Sequence, residues 1–349
     1  MPNKTELILK HYKMNKTIFL GLIFMFLFAC DKDYLVGSFP ETPINLTNFN
    51  TEFDDYNSDI PTLGETFPLC FSSTRNSNGS DYDIIYKLMT IRYSKTTGKL
   101  DVFEELSSNL DVYITNSNIT SALSKINTSS DEFGPYLVSK GTNFNGTNIG
   151  KRFETYIFLY SNNSSGNQDI KFTQNLENEF YEQPKEISFL NSDFDDAYPT
   201  FNKDFSKIYF TSNRDSDFNI YSVRIDNNND LVDVLTNTTQ ASIEMDTVLS
   251  SNFDDKCPYI PPFISNDFIV FASNREGGYG GYDLYYSRFD NGKWSKPQNF
   301  GDKINTPYDE YRPIVRQQRE FTNDFMIFSS NRPGGKGGFD LYYVGIDKI

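Results

Sequence analysis

Ile304-Asn305-Thr306-Pro307-Tyr308-Asp309-Glu310-Tyr311-Arg312-Pro313 decides the fold, because the chain repeats that phrase five times. Ile126-Asn127-Thr128-Ser129-Ser130-Asp131-Glu132-Phe133-Gly134-Pro135 matches it position by position. Leu190-Asn191-Ser192 leads to Asp195-Asp196 and Pro199, and Leu249-Ser250-Ser251 leads to Asp254-Asp255 and Pro258. The fifth copy, Phe49-Asn50-Thr51 with Asp54-Asp55, carries Ser58 in place of the proline.

After each box comes an aromatic strand ending in Ser and Arg: Phe71 to Arg75, Phe210 to Arg214, Phe271 to Arg275 and Phe328 to Arg332. The second copy is worn to Tyr160-Ser161-Asn162-Asn163. A glycine-rich turn and another strand follow, best seen in Gly277 to Tyr286 and Gly334 to Tyr343. Three or four short strands per repeat fit a propeller blade, which needs at least about 40–45 residues. The last repeat stops one strand short, while Pro43-Ile44-Asn45-Leu46 resembles Pro297-Gln298-Asn299-Phe300. The amino-terminal strand is therefore expected to complete the final blade, which removes exposed sheet edges. The expected fold is all-β: a propeller of five four-stranded antiparallel blades over residues 43–349, with inserts at 87–125 and 140–155 projecting from one face.

Composition agrees. The 349 residues include 32 Phe, 23 Tyr and 21 Gly, and 47 acidic against 32 basic side chains leave a net charge of −15. Aromatic residues favour strands, glycine punctuates turns, and so acidic a chain lacks the basic footprint of a nucleic-acid binder. The single histidine, His11, lies ahead of the fold, so no Ser-His-Asp relay is available to it. Lys16, the apolar run Ile18 to Phe28, and Ala29-Cys30 describe an export signal over residues 1–29, of which 1–13 read as an annotation extension. Leu27-Phe28-Ala29-Cys30 resembles a bacterial lipobox, which makes Cys30 the lipidation site and 30–42 a tether. Asp31-Lys32-Asp33 resembles the surface-export signal of Bacteroidota lipoproteins. Cys70 and Cys257 read as buried thiols.

Ser330 to Tyr342 and its copies resemble the WD40-like, TolB-type propeller repeats of Bacteroidota envelope lipoproteins. That resemblance implies a propeller of the cell envelope, which the lipobox and the Asp31-Lys32-Asp33 signal make an expected lipid-anchored outer-membrane protein facing the cell surface. It also implies a non-catalytic scaffold for an envelope protein or outer-membrane complex. The alternative is a glycan-binding module or a carboxylate-dependent glycoside hydrolase, for which two or three non-repeating acids should converge on the central channel.

The paired acids Asp54-Asp55, Asp131-Glu132, Asp195-Asp196, Asp254-Asp255 and Asp309-Glu310 recur once per blade. Recurrence assigns them to architecture, as acceptors for turn amides or partners of arginine. Arg75, Arg214, Arg275 and Arg332 recur likewise and are expected to pack on a repeat carboxylate or an adjacent ring. No catalytic residue or metal ligand is assigned, although the Asp- and Gly-rich turns leave a calcium site open. Glu104, Glu105, Glu154 and Glu244 are acids that do not repeat. Trp294 is read as a packing residue whose ring could also stack on sugar, and Asp246-Thr247-Val248 resembles an O-glycosylation acceptor at Thr247.

Overall fold

The computed structural model describes residues 36–61, 65–106, 110–143, 153–177, 180–237, 242–262, 267–318 and 320–349. The signal, Cys30 and the tether up to residue 35 lie outside the described residues. Five antiparallel sheets stand around an axis, so the chain is a five-bladed β-propeller. Blade 1 comprises Asp55–Asp59, Thr66–Ser73, Asp83–Tyr93 and Leu100–Glu104; blade 2 comprises Glu132–Asn143, Phe153–Asn162, Asp169–Glu177 and Lys185–Glu186. Blade 3 is Asp196–Phe201, Lys207–Asp215, Asp217–Arg224 and Ile243–Met245. Blade 4 is Asp255–Tyr259, Phe268–Ser273 and Asp283–Asp290, edged by the short strands Lys293–Trp294 and Gln298–Asn299. Blade 5 is Glu310–Arg316, Asp324–Ser330 and Asp340–Ile346. The amino-terminal strand Ile44–Asn45 completes it, with Ile44 opposite Tyr343 and Asn45 opposite Tyr342.

The first strand of every blade lines the axis, and all five break register at the same place, two residues after the buried acid. There Asn57, Gly134, Tyr198, Cys257 and Arg312 adopt φ between 48° and 57°. An extra residue in one strand of a pair bends that strand and increases its twist. Glycine meets a further demand in blade 2, because a Cβ on Gly134 would collide with the ring of Tyr198.

The 87–125 insert does not project as the sequence suggested. Its first part lengthens the outer hairpin of blade 1, and its second forms a helix, Leu110–Ile126. Ile119, Ala122 and Ile126 are fully buried among Cys70, Ile84, Tyr156 and Phe158, filling the space between blades 1 and 2. Sequence reading missed this helix because its β-branched, Asn and Ser residues are weak helix formers. Burial of one face decides its conformation.

Candidate functional site

On the rim, the two acids of each box have different partners. The first closes the ring: Asp54 accepts the Phe339 amide at 2.8 Å and Asp131 accepts that of Tyr82 at 2.9 Å. Asp195 accepts the Gln168 amide at 2.8 Å, Asp254 that of Phe218 at 3.1 Å, and Asp309 that of Tyr282 at 2.9 Å. Each bond joins one blade to the next. The glycines of the double-glycine turns serve this approach: a Cβ on Gly281 or Gly338 would strike the carboxylate of Asp309 or Asp54.

The second acid is buried and fixes its own blade. Asp55, Asp196, Asp255 and Glu310 pair with Arg75, Arg214, Arg275 and Arg332, at 2.5 Å for Asp196 and 2.9 Å for Glu310. Each also accepts the amide of the Ser or Thr four residues before it. The guanidiniums lie 5.1–5.2 Å over the rings of Phe71, Phe210, Phe271 and Phe328. In blade 2 Ser164 stands where arginine belongs, and among the described residues Glu132 is held by Thr128 and Asn162. Burial pushes its carboxyl up to about 7.

The turn carboxylates considered for calcium are occupied. Asp283 accepts the amides of Tyr279 and Gly280, and Asp340 those of Lys336 and Gly337. Among the described residues, no group of three or more His, Cys, Asp or Glu side chains is placed to hold a metal ion. Among the described residues the non-repeating acids do not converge: Glu104 pairs with Lys87 at 2.8 Å and Glu105 accepts from Thr90 at 3.4 Å on blade 1, and Glu244 stands exposed on blade 3. The side chain of Glu154 lies outside the described residues.

Sequence reading missed the axis itself. Lining up the inner strands by the buried acid places Asp59 opposite Tyr136, Thr200, Tyr259 and Ile314, and Arg312 opposite Asn57, Gly134, Tyr198 and Cys257. These departures between copies were the available signal. Asp59 is buried, accepts the Leu137 amide at 2.9 Å and lies 3.8 Å from Arg316; its burial outweighs the arginines and raises its carboxyl pKa.

A groove of about 550 Å³ lies where blades 3 and 4 meet. Trp294 forms one wall, half-buried, with its indole N–H donating to the Tyr209 hydroxyl at 3.3 Å. Its ring meets Phe289 edge-on at 4.8 Å, and Phe289 remains 38% exposed. Three loops contribute Asp204, Asp246 and Asp267, while Lys207, Arg224 and Lys293 supply hydrogen-bond donors. Asp204 accepts both the amide and the hydroxyl of Ser206, which holds its carboxyl below the usual range. Asp246 accepts the amides of Val248 and Leu249, leaving Thr247 exposed at the lip.

No family model matches the chain, and no curated protein matches it. Among solved structures, the endo-arabinase of Bacteroides thetaiotaomicron resembles it with a TM-score of 0.51 at 10% identity, covering 89% of this chain and 98% of that one. A thermostable family-43 glycoside hydrolase gives 0.50 at 9%, covering 88% and 94%. These are likenesses of fold, and they correct the functional expectation. The WD40-like scaffold reading, and with it the expectation of a non-enzyme, rested on the repeats, which mark the ring's architecture. The two solved rings named above are glycoside hydrolases by their descriptions.

Proposed function

We propose that this chain is a carbohydrate-active propeller that takes a polysaccharide in the groove between blades 3 and 4. The observation that carries the reading is Trp294 with Phe289 on a groove that also presents carboxylates, ammoniums and a guanidinium. Sugar rings offer apolar C–H faces that stack on aromatic rings, and hydroxyls that need donors and acceptors together. The five-bladed fold shared with glycoside hydrolases supports the same class of ligand. Hydrolysis there would fall to Asp246 and Asp267, which blades 3 and 4 bring to the same groove, since glycoside cleavage uses a pair of carboxyl groups.

Lipidation of Cys30 would hold this site at the outer membrane, facing outward; Lys16, the apolar run and the lipobox-like residues support the anchor, and Asp31-Lys32-Asp33 supports the outward orientation. Calorimetry against a panel of arabinan, arabinoxylan, pectin and β-glucan tests the proposal, with release of reducing ends measured in the same samples. One polysaccharide should bind, and Trp294→Ala should weaken it at least tenfold. If Asp267→Asn abolishes release while binding persists, the carboxylates are catalytic. Absence of binding across the panel would falsify the reading.

A further inference from the structure

The propeller axis holds a buried charge that the protein does not neutralise. Arg312 is fully buried at the left-handed position of the blade 5 inner strand. Its Nη2 donates to the carbonyl of Pro135 at 3.2 Å, and its guanidinium lies 5.3 Å from the centre of the Tyr198 ring. Nε and Nη1 have no hydrogen-bond acceptor, and no carboxylate pairs with Arg312 among the described residues. A guanidinium does not give up its proton inside a protein, so the charge remains.

The titratable groups around it are in their neutral forms. Burial pushes the Cys257 thiol up to about 12, and it carries the phenols of Tyr198 and Tyr259 well above their ordinary range. Asp59 is the carboxylate of the axis; it lies 3.8 Å from Arg316, and Arg312 also favours its charged form without forming an ion pair with it. Burial also favours its protonated form, which deepens the positive excess. The Tyr259 hydroxyl, fully buried, likewise has no partner. A buried charge persists only when paired and hydrogen-bonded.

From this we infer that the axis binds a small anion, received by Nε and Nη1 of Arg312. The site is closed from solvent: Asn57, Asp59, Cys257 and Tyr259 are fully buried, and Tyr198, Tyr311 and Arg316 are at most 7% exposed. The site is separate from the groove between blades 3 and 4, so the two readings stand or fall independently.

Crystals of the whole chain grown in sodium bromide, with data collected at the bromine edge, test the inference. An anomalous peak within hydrogen-bonding reach of Arg312 Nε and Nη1 is expected. Chloride titrated against gluconate at constant ionic strength should raise the folded-to-unfolded ratio about tenfold for each tenfold rise beyond the dissociation constant. Arg312→Met should lose that dependence. Water-like density without anomalous signal at Arg312 overturns the inference. So does a bromide peak accompanied by stability indifferent to chloride, which would mark an adventitious ion. If Arg312→Met does not fold, the bromide map and the wild-type titration decide alone.

Discussion

Blade 2 and the other four blades solve the same problem differently. In blades 1, 3, 4 and 5 a buried carboxylate meets an arginine that also lies over a phenylalanine ring. In blade 2 Glu132 meets only hydroxyl, amide and backbone N–H donors, while Lys171 reaches Asn162 at 3.1 Å and Ser164 at 2.9 Å instead. Both arrangements keep the inter-blade bond, from the Tyr82 amide to Asp131 in this case. The amide clasp therefore defines the ring, and the arginine only settles the charge buried beside it. Blade 2 replaces that settlement with a carboxyl that holds its proton to about pH 7, and with a helix packed over its flank.

The largest effect should come from breaking the common arrangement. Arg275→Met leaves Asp255 buried without its cation, and should cost about 3 kcal/mol in urea unfolding, as broken buried pairs do. A loss below about 1 kcal/mol would mean that the serine and backbone donors suffice. Asp309→Ala removes a clasp and should cost about 2 kcal/mol, the worth of a hydrogen bond to a charged group.

Glu132→Gln sharpens the contrast through pH. Because the folded-state pKa of Glu132 is raised, its contribution is fully present below the ordinary carboxylate range. It is lost as pH rises through about 7. Wild-type stability should therefore fall over that window, and the Gln variant should be flatter across it. An unchanged slope would place the titration elsewhere. The smallest effect belongs to Ser164→Arg, which restores the missing guanidinium and should stabilise the protein by less than about 1 kcal/mol above pH 7. Its clearer sign would be a fall in the Glu132 pKa, read by carboxyl-resolved NMR.

The ring was legible in the sequence because repetition exposes architecture: five boxes, their acids and four Ser-Arg strand ends recur at fixed places. The amino-terminal closure was legible from the likeness of Pro43-Leu46 to Pro297-Phe300. What repetition hides is whatever one copy does alone. Asp59, Arg312 and Arg316 occupy columns of the inner strands that the other blades fill differently, so attention to shared residues passed over them. Leu110–Ile126 escaped because its conformation depends on distant partners in blades 1 and 2. Trp294 was visible as a lone residue, but its groove requires loops from two blades, whose meeting is a tertiary fact. The functional expectation erred for a related reason: repeats specify a scaffold, and chemistry belongs to sites grafted upon it.

Hydrogen exchange with and without an oligosaccharide from the polysaccharide that binds best tests the central claim most directly. The account predicts protection confined to the two walls of the groove, the 202–207 hairpin and Phe289 to Ser295, with the rim clasps of the other blades unchanged. Protection on another face of the ring, or none at a saturating concentration, would contradict it.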